Sequence, residues 1–151
     1  MIIDEYIGKG PLGEEYPSKD GYFRGGDIGY IDEDGFLFVT DRIKDMIVAG
    51  GVNIYPAEIE KVIIQHPKII DATVIGIPHD DYGEQVMAFC ETDPDNTPTE
   101  EEVLEFCIDK LAKFKLPRKF DFVNSIPRNP MGKALKVELR KPYWEGRKRQ
   151  I

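Results

Sequence analysis

The stretch that most narrows the folding options runs from Asp41 to Glu60, DRIKDMIVAGGVNIYPAEIE. Its Gly50-Gly51 pair lies between apolar runs, and a two-residue hairpin turn favours residues that accept positive φ at both central positions, which glycine does without strain. Pro56 then predicts a helix start, because proline lacks only an N–H that the first helical turn leaves unpaired anyway. Glu58 and Glu60 would complement the positive end of that helix. A charged lead-in (Asp41, Arg42, Lys44, Asp45), a hairpin and a helix therefore follow one another with few degrees of freedom. Such a junction is suited to positioning something.

At 151 residues the chain is long enough to bury roughly 68 to 70% of its unfolded surface, so one ordinary core is feasible. The 41% hydrophobic and 32% charged residues suit a soluble globular protein, and no apolar run reaches the ~18 residues of a membrane span. Cys90 and Cys107 form no close-spaced pair. They predict buried thiols in a reducing, cytoplasmic setting rather than a disulfide or a metal site. A net charge of −8 argues against nucleic acid as a partner, since nonspecific binding depends on Lys and Arg neutralising phosphates. Positive charge collects only near the end, from Lys133 to Arg149. That run reads either as a solvated helix face and tail or as a local anion site.

Met1 to Asp20 shows no sustained periodicity and is expected to be irregular. Ile28–Ile31 and Phe36–Thr40 flank Asp32-Glu-Asp-Gly35, a hairpin with Gly35 free to take positive φ. A lone hairpin is marginal in water, so this one needs a partner surface. Ile59, Val62 and Ile63 fall on one helical face that stops at His66, before Pro67. Ile69–Gly76 and Gln85–Glu91 read as strands joined by a long turn, Ile77–Glu84. His79, Asp80 and Asp81 lie in that turn, and turn chemistry accounts for them without a metal. Thr99 and Glu102 form a capping box, followed by Leu104, Cys107, Ile108 and Leu111 at helical spacing. Lys119–Asn124 alternates as a half-buried strand, and a last helix is expected from Lys133 or Ala134 to Lys141, limited by Pro142. The fold class is α+β: a small, mostly antiparallel sheet flanked by helices and preceded by a β-hairpin.

Between the last strand and helix lies Ser125-Ile-Pro-Arg-Asn-Pro-Met-Gly-Lys-Ala134. Two prolines stiffen it, Gly132 permits close backbone approach, and Lys133 is expected at its tip near a helix start. Such a lysine is either an ordinary loop residue or a clamp for phosphate or carboxylate.

Four segments together resemble successive motifs of the adenylate-forming, AMP-binding enzymes, and more narrowly their acyl-CoA synthetase branch. They are Gly21-Tyr-Phe-Arg-Gly-Gly-Asp-Ile-Gly29, Asp41–Ile47 with Gly50–Glu60, Gly76-Ile-Pro-His-Asp-Asp-Tyr-Gly-Glu84 and Pro127-Arg-Asn-Pro-Met-Gly-Lys133. The resemblance implies that residues 1–41 are the tail end of a large N-terminal AMP-binding domain lying outside this chain, and that 42–151 are the mobile C-terminal domain. It further implies a two-step ligase: a carboxylic acid and Mg-ATP give an acyl-adenylate, and the CoA thiol then displaces AMP to leave a thioester. The Mg2+ site would belong mainly to the large domain, and this portion alone would not catalyse adenylation.

Carried over by position, the resemblance assigns Asp27 to the ribose hydroxyls and Arg42 to the nucleotide. Lys44 would be the hinge about which the small domain rotates. Gly50 and Gly51 would line the pantetheine tunnel of CoA. Lys133 would be the catalytic lysine that stabilises charge developing between the carboxylate and the α-phosphate. One departure is Gly25, where the family usually has Thr, which puts one nucleotide contact in question. The acid substrate is not legible, because its pocket would lie in the large domain. Two other readings stand beside this one: the C-terminal subdomain of a peptide-synthetase adenylation unit, and a free-standing, non-catalytic domain that binds a nucleotide or CoA.

Overall fold

The computed structural model describes residues 26–147. Their order is β1 (Asp27–Ile31), β2 (Leu37–Arg42), a 3-10 turn (Ile43–Asp45), β3 (Ile47–Ala49), β4 (Val52–Ile54), α1 (Pro56–Ile63), β5 (Ile69–His79), β6 (Gly83–Thr92), α2 (Glu100–Ile108), β7 (Lys119–Val123) and α3 (Lys136–Trp144). Single 3-10 turns also follow β6 and α2. The α+β class and the mostly antiparallel sheet hold. The expected irregular Met1–Asp20, the Gly25 departure and the basic residues Lys148 and Arg149 lie outside the described residues.

β1 and β2 form a separate two-stranded antiparallel sheet. Its turn is set by Asp32, whose Oδ1 accepts from Asp34 N (3.1 Å) and Phe36 N (2.9 Å), with Gly35 at φ 86°. Among the described residues, Tyr30, Ile31, Phe36, Leu37 and Val39 remain exposed on it.

The second sheet has the order β4-β3-β6-β5, and β7 joins β6 in parallel. Because β5 occupies one border of β6 along its length, β3 and β7 share the other. α2 lies within the long connection that a parallel pair requires. Alternation then divides the core. Val74, Val86, Ala88 and Cys90 face α1 and α2, meeting Ile59, Ile63, Val103 and Cys107. Ile75, Ile77, Met87 and Phe89 face the opposite way, toward Leu139 and Tyr143 of α3. Both cysteines are free and buried; burial, the larger cause, together with the neighbouring Cys107 and Asp121, pushes the Cys90 thiol up to about 12, and burial raises that of Cys107. Neither is a poised nucleophile.

Three expectations need correction. First, Ile77–Glu84 is not a long turn: Ile77 pairs with Gln85, Pro78 with Glu84 and His79 with Gly83, leaving only Asp80–Tyr82 between the strands. Pro78 is tolerated because β5 borders the sheet, where its missing N–H is not needed. Glu84 hid the strand from the sequence, because it is polar yet only 3% exposed, with Oε2 accepting from Val48 N at 3.2 Å. Second, the buried stripe of α2 contains Val103 rather than Ile108, which is 52% exposed. Third, α3 begins at Lys136, continues through Pro142 and ends at Trp144. Leu135 N donates to Pro127 O (2.8 Å) and Ala134 bridges to Arg128, which holds residues 133–135 out of the helix. Pro142 falls in the last turn, where it forgoes one bond, to the Glu138 carbonyl, and has little helix left to disrupt, and Trp144 Nε1 pins that end to Gly76 O at 3.0 Å.

Gly76 is locked from two sides. A Cβ there would stand 2.3 Å from Glu84 Oε2 and 3.2 Å from Ile47 Cγ2. Gly76→Ala should therefore lower the unfolding free energy by about 1–3 kcal/mol, read as a shifted urea midpoint.

The first helix pair is closed by a polar clasp. His66, mostly buried, packs edge-on against Phe106 with ring centroids 5.1 Å apart. Lys68 Nζ bonds both Glu102 oxygens at 3.1 and 3.0 Å, while the Thr99–Glu102 capping box is complete. Burial is the main cause holding His66 below its ordinary 6.5, and the Thr99 backbone bond is the main cause holding Glu102 below 4.5. For both groups the unfolded chain takes up protons first on acidification. Their stabilising contributions are present at neutral pH and are lost as pH falls, below about 6.5 for His66 and then below about 4.5 for Glu102. Chemical denaturation at pH 7, 5.5 and 4 should show a midpoint that falls in two stages, the first absent in His66→Phe.

Candidate active site

The loop after β7 and the start of α3 meet the end of β2 around a cavity of about 470 Å³, whose lining includes Arg42, Lys44, Arg128, Asn129, Lys133 and Lys136. Three of the residues singled out from the sequence, Arg42, Lys44 and Lys133, are thus brought together, although 91 positions separate the first from the last. Asn129 shapes the loop: its Oδ1 accepts from Met131 N (3.0 Å) and Lys133 N (2.9 Å), and its own N–H donates to Lys133 O (2.9 Å). Gly132, at φ 80°, completes the turn. Arg128 reaches both Gly132 O and the Asp71 carboxylate, tying the loop to β5. Lys133 therefore sits at the close of a rigid turn, three residues before the helix rather than at its start.

Charge in the cavity is mostly committed. Lys136 pairs with Glu60 at 2.7 Å, Arg140 with Asp45 at 2.8 Å, and Arg42 with Asp27 at 3.2 Å. The Lys133 ammonium, by contrast, has no ion-pair or hydrogen-bond partner among the described residues. A cation on a fixed backbone, uncommitted and facing a cavity, is suited to a phosphate or carboxylate oxygen. Asp27 lies opposite Arg42 in the hairpin register. Their half-exposed ion pair is individually weak, so a ligand could exchange it for its own contacts.

Gly50 and Gly51 form the two-residue turn of the β3–β4 hairpin at φ 58° and 80°, as the glycine pair predicted. Gly50 N donates to Tyr82 O at 2.8 Å. Gly50 lines a second cavity of about 240 Å³ together with Tyr82, Phe114 and Arg118, and the Arg118 guanidinium lies 5.0 Å from the Tyr82 ring centroid. The two cavities share no lining residue. The glycine turn and Lys133 consequently belong to different faces.

Some of the wiring was not legible beforehand. Glu60, expected in the first helical turn, instead turns toward β5, accepting from Val74 N (2.7 Å) and Thr73 Oγ1 (3.3 Å) as well as from Lys136. Arg140, read only as part of a basic run, is 7% exposed and bonds across the chain to Lys44 O and Asp45. No local pattern flags either, because each partner is remote in sequence. Tyr82 could have been suspected as an aromatic in a turn otherwise made of small and charged residues.

A small α+β unit with a rigid Gly-Lys turn at one cavity and a Gly-Gly hairpin at another defines a class. Residues 58–133 match the family model of the AMP-binding enzyme C-terminal domain, and the chain belongs to that family. Among curated relatives it is 49% identical over 143 residues to the long-chain-fatty-acid–CoA ligase FadD13 of Mycobacterium tuberculosis, covering 95% of this chain and 28% of that one. It is 46% identical over 132 residues to the fatty acid–[acyl-carrier-protein] ligase ScoC of Streptomyces coeruleorubidus, covering 87% and 25% respectively. Of solved structures, ATP-bound MatB from Rhodopseudomonas palustris matches with a TM-score of 0.79 at 44% identity, covering 86% of this chain and 26% of that one. The chain thus spans about a quarter of the length of the relatives it matches.

Proposed function

We propose that this chain acts as the C-terminal portion of an AMP-forming acid ligase, which joins a carboxylic acid to a thiol through an acyl-adenylate. The observation that carries the reading is the uncommitted Lys133 ammonium, held on a rigid turn at a cavity shared with Arg42 and Lys44, in a chain of this family. Lys133 would supply positive charge where the acid and the α-phosphate react, which is worth most in a site closed to water. Arg42 and Asp27 would exchange their mutual ion pair for contacts to the phosphates and ribose. Lys44 would be the pivot, and Gly50 and Gly51 the wall along which the pantetheine arm passes.

The separation of the two cavities supports use in alternation: one orientation presents Lys133 and the other presents the glycine turn. The remaining three quarters of the relatives' length would supply the acyl pocket and most of the ATP site, and the exposed apolar face of the β1–β2 hairpin suits packing against such a segment. Mg2+ would arrive with the ATP phosphates. Among the described residues no group of three or more His, Cys, Asp or Glu is arranged to hold a metal, and no helix is long and apolar enough to cross a membrane. The thiols of Cys90 and Cys107 suit a cytoplasmic enzyme. CoA is the acceptor favoured here, by the FadD13 likeness over nearly the whole chain; the ScoC likeness favours a carrier-protein thiol as the second reading.

The test is acid-dependent ATP–pyrophosphate exchange by the full-length polypeptide over short, long and aromatic acids, followed by thioester formation with CoA or with holo carrier protein. Exchange with at least one acid is expected. None with any acid, or exchange by residues 1–151 alone, would overturn the reading.

A further inference from the structure

Arg140 is more deeply buried than the Asp45 and Lys136 side chains beside the Lys133 cavity, and each of its three guanidinium nitrogens donates to a different partner. Nε donates to Lys136 O at 3.2 Å, one turn back in α3. Nη1 donates to Lys44 O at 3.0 Å and Nη2 to Asp45 Oδ1 at 2.8 Å. The last two bonds span 96 and 95 positions of sequence. They join the helix that follows the Lys133 turn to the residue assigned as pivot.

We propose that Arg140 is a positioning residue that welds the Lys44 carbonyl and Asp45 to α3, so that the pivot and the Lys133 turn move as one rigid body. This rests on the ligase reading above. The planar guanidinium suits the role, since its fixed fork can hold a carbonyl and a carboxylate at once, whereas a lysine could supply only a point charge. The geometry also restricts where rotation occurs. With its carbonyl held, the peptide plane between Lys44 and Asp45 is fixed to α3, so the free torsions are those N-terminal to that plane, ψ and φ of Lys44 and those of Ile43 and Arg42. α3 does not depend on Arg140 for its place on the sheet, because Leu139 and Tyr143 pack on Ile75, Ile77, Met87 and Phe89 and Trp144 bonds Gly76 O. Loss of Arg140 should accordingly loosen the junction before it unfolds the domain.

Trypsin reads this directly, because Lys44 is itself a cleavage site whose scissile carbonyl is the one Arg140 holds. In the full-length enzyme, Arg140→Met should raise cleavage after Lys44 by about tenfold or more, as the loss of one hydrogen bond to a charged group implies. Cleavage after Lys113 and Lys115 should stay unchanged. Acyl-adenylate formation should fall in kcat with little change in the KM for the acid, and Arg140→Lys should restore only part of both losses. If Arg140→Met does not fold, Asp45→Asn keeps the carbonyl bond and loosens one arm, and a smaller rise confined to Lys44 is expected. Unchanged cleavage after Lys44, or an equal rise at all three sites, overturns the weld in either variant. The proteolytic pattern is independent of catalysis, so an enzyme with no exchange activity would sink the ligase reading while leaving this one to be judged on cleavage.

Discussion

Lys133→Ala in the full-length ligase should reduce acyl-adenylate formation by about 10² to 10³, the scale of removing one placed charge from a closed site. Thioester formation from supplied acyl-adenylate should be unchanged. On the proposed reading the two half-reactions separate because their assigned residues occupy different places: Lys133 lines one cavity, and Gly50 lines another with no residue in common. Misfolding is not a rival explanation, since Lys133 holds its turn through main-chain N–H and C=O bonds to Asn129, which alanine keeps. Pyrophosphate exchange measures the first half-reaction, and release of thioester from synthetic acyl-adenylate measures the second. An equal loss in both would remove Lys133 from its assigned role.

Lys44→Pro should produce the opposite pattern, slowing thioester formation by about tenfold or more while affecting adenylation less. Lys44 is the middle residue of the 3-10 turn Ile43–Asp45, and proline there fixes its φ and pushes Ile43 away from helical dihedrals. A torsional penalty of ~1–3 kcal/mol at the proposed pivot corresponds to about one to two decades in rate. The orientation described here presents Lys133 beside Arg42, so the half-reaction that uses this orientation is the less affected. Single-turnover measurements of each step check the split, and unchanged kinetics in both would make the stretch plain scaffold.

Sequence reasoning reached furthest where chemistry is local. The Gly50-Gly51 turn, the Pro56 helix start and the Thr99–Glu102 capping box each depend on residues within a few positions of one another, and all three are present. It failed where burial reverses polarity. Glu84 looks like a turn residue yet lies in a strand against Gly76, and Pro142 looks like a stop yet lies inside a helix whose end is held by Trp144. The roles assigned to Lys133, Arg42 and Gly50 came only through family motifs. The meeting of Arg42 and Lys133 around one cavity, and the Arg140 bonds to Lys44 and Asp45, depend on contacts that no short window contains.

β5 forms an outer border of the sheet, and its alternate residues are closed off by side chains. Ala72 N donates to Asp71 Oδ1 at 2.7 Å and Val74 N to Glu60 Oε1 at 2.7 Å, Gly76 O accepts from Trp144, and Pro78 has no N–H to offer. An eleven-residue strand with its outward groups free would be a template for pairing with another chain. Here two carboxylates, an indole and a proline leave little for an incoming strand to bond. The same side chains that brace α1 and α3 against the sheet therefore also guard the protein against edge-to-edge aggregation.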